Sequence, residues 1–217
     1  MAAGTLYAIK NARGMLPRAL VEWLELDIEL VNPSDKAEEF KSLFPLGKNP
    51  AYQGRDGFQL TEVIAVLYYL VNLKGDAELE KTLYGSTLEE RSQVLRFLSF
   101  TNHEITQSTI AVVTAARSNA AQEQYDEKLS QCIACFGYLE NRLTEHEFLV
   151  NDHITIADLF TATICATLYG FALGKDKFGG FSKLSEWLSK VLQHPVLKGK
   201  VDTSTFVETT ISLPPTN

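Results

Sequence analysis

Two short stretches carry residue types in an order that suits holding a small peptide. Lys48-Asn49-Pro50-Ala51 runs into a turn-rich segment that ends at Leu60-Thr61-Glu62. A proline just before a strand can adopt the cis form, which turns the preceding N–H and C=O outward. Backbone presented in that way pairs, strand-like, with a peptide. Thr61-Glu62-Val63 then opens a helix. Its first N–H groups suit a carboxylate, and the Glu62 side chain suits an ammonium. One site would thus hold a peptide backbone and an amino-acid head bearing both charges. Each feature alone has a plain structural reading, a turn proline and a helix-dipole partner. The ordered set points to binding.

Other reactive side chains are less promising. Cys132 and Cys135 form a C-x-x-C, but inside the helical pattern Tyr125–Leu143 rather than on a strand-to-helix turn. There they read as buried thiols, not a redox pair. Cys165 brings the cysteines to an odd count without a framework spacing, which points to a reducing, cytoplasmic setting. The four histidines, His103, His146, His153 and His194, show no metal-ligand spacing. No metal is expected.

A net charge of −7, with lysines and arginines scattered among more numerous acids, argues against nucleic acid as a partner. No apolar run is long enough for a membrane span, and Met1–Gly4 begins no signal peptide. Ser212–Asn217 reads as a frayed tail. Hydrophobic residues at 45% and charged residues at 22% suit a globular core, and 217 residues suit two small domains.

The elements positioning the site follow from periodicity. Thr5–Ile9 is a strand, Asn11–Gly14 a polar turn, and Leu16–Leu26 a helical stripe with Pro17 in its first turn. Asp27–Val31 is a second strand and Ala37–Phe44 a short helix stopped by Pro45 and Gly47. Ala51–Gln53 and Phe58–Leu60 form a hairpin, and Val63–Leu73 a strongly apolar helix. The order βαβαββα gives parallel first strands and an antiparallel hairpin. After Lys74-Gly75-Asp76 strand signals stop. Helices are expected from Ser86 or Thr87 to Arg117, then over Tyr125–Leu143, Ile156–Phe171, Lys183–Leu192 and Val196–Lys200. An α+β domain over 1–75 and an all-helical domain over 86–210 result.

The stretches Thr5-Leu6-Tyr7, Phe44 to Ala51 and Leu60 to Leu70, with Ile154-Thr155-Ile156-Ala157-Asp158, resemble the glutathione S-transferase superfamily over essentially the whole chain. The last run resembles the family's N-capping box, and Thr155, Asp158 and a staple from Ile154 to Leu159 support that reading independently. Within the superfamily, Gly4 to Tyr7, Pro17 to Leu20, Phe44 to Leu46 and Arg96 most resemble the N-terminal part of the fungal translation elongation factor 1 gamma subunit. That subunit continues through a lysine-rich linker. The sequence in hand ends before one, as a stand-alone relative or a part of a longer chain would.

The resemblance implies a thioredoxin-like N-terminal domain, a helical C-terminal domain and glutathione as co-substrate. It implies that Lys48 holds the glycyl carboxylate and that Asn49, Pro50, Thr61, Glu62 and Val63 hold the rest of the tripeptide. Val63 replaces a serine common in the family, leaving only its N–H. A transferase must lower the glutathione thiol pKa from about 8.5. Tyr7 is the hydroxyl of the first strand, but such a tyrosine packs where the family uses serine, and Asn11 stands at the serine position. Asn11 can donate through its amide, and Arg13 supplies a permanent cation. Phe100, His103 and Gln107, about a turn apart, would line a second-substrate pocket with Met15. Two functions follow: transfer of glutathione to a small electrophile, or a non-catalytic scaffold with translation elongation factor partners. The resemblance also implies a homodimer.

Overall fold

The computed structural model describes residues 3–214. Strands β1 (Gly4–Tyr7), β2 (Ile28–Val31), β3 (Ala51–Gly54) and β4 (Gln59–Leu60) form one sheet in the order β2-β1-β3-β4. β1 pairs parallel with β2 and antiparallel with β3, and β3 pairs antiparallel with β4. Strand alternation divides the core. Leu6, Ala8 and Tyr52 pack with Val21 of helix α1 (Ala12–Trp23) and Val66 and Leu70 of α3 (Val63–Leu73). Tyr7, Val31 and Ala51 pack instead with Phe40 and Phe44, at and just after α2 (Ala37–Leu43).

The turn expected at Asn11–Gly14 is the first turn of α1. Asn11 is its N-cap, accepting from Gly14 N–H through Oδ1 at 2.9 Å. Pro17 is therefore inside the helix, not in its first turn, and supplies no N–H to the ladder there. Gly14 is needed for the tight approach, since a Cβ there would lie 2.1 Å from the Ile9 carbonyl oxygen. β1 stops at Tyr7, two residues before the expected end. A 3₁₀ turn over Pro33–Lys36, capped by Asn32, precedes α2.

The chain divides into two compact units. One runs to Lys81 and takes back Pro195–Lys200; the other comprises Thr82–His194 and the chain from Val201 on. A boundary at residue 75 was expected, but α4 (Ala77–Tyr84) occupies the stretch read as a linker. Its two ends bear acidic residues in the first turn and buried Leu83 and Tyr84 in the last. Pro195–Lys200 is a series of turns rather than a helix. Val196 and Leu197 are buried, and Lys200 bonds to Glu22 within the first unit.

The second unit holds α5 (Leu88–Phe100), α6 (Thr106–Arg117), α7 (Gln122–Glu145), α8 (Ile156–Tyr169), α9 (Lys175–Phe178) and α10 (Ser182–Val191). The long helix expected from Ser86 or Thr87 to Arg117 has Thr87 as its N-cap, in a capping box with Glu90. A π-helical turn, Thr101–Ile105, interrupts it. Buried Thr101 shares a hydroxyl–hydroxyl bond with Thr161 of α8 at 2.6 Å, and the Thr106 hydroxyl donates to the Thr101 carbonyl, which fixes that wider turn. Cys132 and Cys135 lie within α7, and burial pushes both thiols up.

α8 is buried almost throughout. Its Asp158 carboxylate accepts from the Leu149 and Thr155 backbone N–H groups, the Thr155 hydroxyl and Trp187 Nε1, all within 3.0 Å. The capping-box role foreseen for Asp158 thus extends to a loop and to α10. Of the tail expected to fray, 212–217, residues 215–217 lie outside those described. Among the described residues no helix is long and apolar enough to cross a membrane.

Candidate functional site

The first unit builds its site from three segments. The β1–α1 turn brings Asn11, Arg13 and Met15; the loop before β3 brings Lys48, Asn49 and Pro50; the start of α3 brings Thr61, Glu62 and Val63. The first two segments are tied by Asn49 Oδ1, which accepts from Ile9 N–H at 3.3 Å. Arg18 Nη1 donates to the Ala8 carbonyl at 2.9 Å and braces the same turn. The Asn49–Pro50 bond is cis, as expected. β4 pairs only with Tyr52 and Gln53. The backbone of 49–51 therefore has no strand beside it on that side among the described residues, a place for an added peptide strand.

A cavity of about 300 Å³ is lined by Lys48, Gln59, Thr61 and Glu62 with Phe44, Pro45 and Leu46; Asn49, Pro50 and Ala51 are not in its lining. The Glu62 side chain makes no capping hydrogen bond to α3. Its backbone sits at φ 67, outside glycine's company. Such a conformation costs about 1–3 kcal/mol in an L-residue and concentrates at functional sites. The strained residue ends β4 sharply and starts α3 one residue later, so the Val63 N–H opens the helix with no intrahelical acceptor. Arg13 lies near enough to Glu62 to feel its charge. Burial lowers the Arg13 pKa, and the Glu62 carboxylate opposes that shift.

The Tyr7 hydroxyl is engaged within the first unit. The residue is 1% exposed, packs its ring on Phe40 and Phe44, and donates its proton to Glu39. Burial first, then the Glu39 carboxylate, push its pKa upward, so the phenol stays protonated. Asn11 uses its oxygen as a cap, which leaves its amide N–H₂ as the donor side. Met15 is half-buried in α1.

In the second unit, Phe100, His103 and Gln107 straddle the π turn, so the even one-turn spacing expected of them does not hold. The Phe100 ring lies 5.0 Å from that of Tyr138, tilted by 53°; His103 and Gln107 are exposed. The sequence reading missed Glu39, whose acidic side chain on α2 showed no signal until Tyr7 was seen to face it. Among the described residues no cluster of His, Cys, Asp or Glu could hold a metal ion.

A four-stranded mixed sheet with a cis-proline edge, followed by a helical unit, defines a thioredoxin-like domain joined to an all-helical one. The glutathione S-transferase N-terminal domain family matches residues 2–72, and its C-terminal domain family matches 95–195. Glutathione S-transferase Y-2 of Pichia kudriavzevii is 30% identical, with 86% of this chain and 92% of that protein covered. The chain belongs to the glutathione S-transferase superfamily. Elongation factor 1-gamma 1 of Saccharomyces cerevisiae is also 30% identical, over 99% of this chain but 52% of its own length. The chain thus spans about half of that curated relative. The crystal structure of the GST-like domain of elongation factor 1-gamma from Saccharomyces cerevisiae superposes with a TM-score of 0.89 at 30% identity, covering 99% of this chain and 100% of that one.

Proposed function

We propose that the first unit binds glutathione and that the chain is a glutathione S-transferase acting on a small electrophile. The observation that carries this reading is the cavity at the start of α3, where Lys48, Thr61 and Glu62 converge. In this reading Glu62 takes the γ-glutamyl ammonium. The Val63 N–H and the positive end of α3 take its carboxylate. The open backbone of 49–51 pairs with the cysteinyl residue, and Lys48 meets the glycyl carboxylate. The Asn11 amide and the Arg13 cation then stabilise a thiolate, which forms the bond to the electrophile as the electrophile's leaving group departs. The chain works as a homodimer in the cytoplasm. Titration calorimetry with reduced glutathione tests the binding, and release of halide from a generic aryl halide tests the transfer. Saturable binding and glutathione-dependent release are expected; absence of binding would defeat the proposal.

A second reading has its own observation. Tyr7 is bonded to Glu39, and Asn11 stands where the resemblance to the family places a serine. A fold that retains the tripeptide site without a hydroxyl near the thiol suits a scaffold with translation elongation factor partners. Binding of glutathione without any conjugation would favour it.

A further inference from the structure

The β1–β3 ladder ends at the pair Tyr7 and Ala51. Continued in the same register, it would set Ala8 opposite Pro50 and Ile9 opposite Asn49. Pro50 has no N–H to give such a ladder. A side chain takes over: Asn49 Oδ1 accepts from Ile9 N–H at 3.3 Å. The carbonyl of the same peptide group, that of Ala8, accepts from Arg18 Nη1 of α1 at 2.9 Å. The Ala8–Ile9 peptide is thus gripped at both ends by side chains, one from the loop before β3 and one from α1. Its neighbours hold it further. Ala8 N–H donates to the Val31 carbonyl at 3.0 Å, and the Ile9 carbonyl accepts from Asn11 N–H at 2.9 Å. Arg18 Nε is buried without a hydrogen-bond partner among the described residues. An apolar residue would fill that space without the desolvation cost of an unmatched donor.

Just beyond this peptide stands Asn11, whose Oδ1 is bound to Gly14 N–H, so the turn aims its amide N–H₂. In the proposed function the cysteinyl backbone lies on 49–51 and its thiol meets that amide and Arg13. The grip on Ala8–Ile9 joins those two places through one peptide group. Because the Asn49 side chain holds Ile9, the Asn49 backbone is left to the tripeptide.

We infer that Arg18 and Asn49 are positioning residues that set the acidity of the glutathione thiol, by fixing the Ala8–Ile9 peptide and with it the Asn11 amide. They act through Asn11, and the inference rests on the glutathione reading. The test follows thiolate absorbance of glutathione bound to the full chain against pH, beside calorimetry with S-methylglutathione, which has no thiol to ionise. In the parent the bound thiol should be more acidic than that of free glutathione. Asn49→Ala changes no charge. It should cut the thiolate present below the pKa roughly 10-fold, as for a misaligned hydrogen bond to a charged group, and leave S-methylglutathione affinity unchanged. Arg18→Met should act in the same direction, and carries the comparison where Asn49→Ala fails to fold. Both side chains grip one peptide, so the double variant should lose little more than the worse single one. Unchanged thiolate in both variants, with S-methylglutathione still bound, would overturn the inference and leave the glutathione reading standing. So would additive losses, which mark Arg18 as a separate cation, or a parent whose bound thiol is no more acidic than the free one. Failure of the parent to bind glutathione would defeat the glutathione reading itself, and this inference with it.

Discussion

Replacing Glu62 by glycine should pull stability and glutathione affinity in opposite directions. The Glu62 backbone at φ 67 and ψ 118 is strained for any residue with a Cβ. Relief of that strain by glycine is worth about 1–3 kcal/mol. The added freedom of glycine in the unfolded chain removes about 0.4–1 kcal/mol of it. Net stabilisation near 1 kcal/mol is expected, raising the melting temperature by roughly 2–4 °C for a chain of this size. Glu62→Ala keeps the Cβ and the strain, so its stability should stay near that of the parent. Both variants remove the partner of the γ-glutamyl ammonium, which should weaken glutathione by about 2–4 kcal/mol, or roughly 30- to 900-fold. Urea denaturation gives the first quantity and calorimetry on the folded protein the second. A glycine variant less stable than the alanine variant would refute the strain argument. Unchanged affinity in both would refute the role given to the carboxylate.

Four other outcomes are expected. Asn11→Ser keeps an N-cap residue on α1 while placing a hydroxyl at the turn, so aryl-halide conjugation should rise at least about 10-fold without loss of stability; an unchanged rate in steady-state assays would separate Asn11 from the thiol. Asp158→Ala leaves the Leu149 N–H and Trp187 Nε1 without their acceptor in the core, and should cost about 3 kcal/mol or more in urea denaturation. Glutathione affinity per folded molecule should not change. Glu90 is held below its ordinary 4.5 by the Ser86 N–H, then the Asn151 side chain and the Thr87 N–H. Its folded pKa is depressed, so its contribution is present above pH 4.5 and lost as pH falls through the folded value. Acid-denaturation curves of Glu90→Gln should show a smaller loss over that window than the parent. Burial pushes the Cys165 thiol up to about 12, so thiol reagents at neutral pH should modify it only after unfolding.

Much of this architecture was legible because the signals are local. Val63–Leu73 was read to the residue, since its apolar run begins just after Glu62 and ends at Lys74-Gly75. The capping box of Thr155 and Asp158 is legible in their spacing, and the start at Thr87 was one of two adjacent candidates. Asn11 was misread as part of a turn because an asparagine before Arg13-Gly14 signals a cap and a turn equally well; only its Oδ1 bond to Gly14 N–H decides. α4 was missed because its charged, exposed face hides the two buried residues that anchor it. The π turn at Thr101–Ile105 leaves no mark in periodicity, since it follows from a hydroxyl contact with α8, far along the chain. In the site, Lys48, Thr61 and Glu62 were grouped from their order and do line one cavity. The partner of the Tyr7 hydroxyl could not be read, because Glu39 lies on a different element. The positive φ of Glu62 was also invisible, as nothing in Leu60-Thr61-Glu62 requires it.

The account rests on glutathione lying across the edge at 49–51 with its γ-glutamyl end at α3, and a crystal structure of the chain with reduced glutathione tests that directly. It predicts the γ-glutamyl ammonium within hydrogen-bond distance of the Glu62 carboxylate, its carboxylate on the Val63 N–H, and the cysteinyl backbone paired with 49–51. Glutathione bound elsewhere, or a vacant cavity at concentrations that saturate the protein in calorimetry, would contradict it.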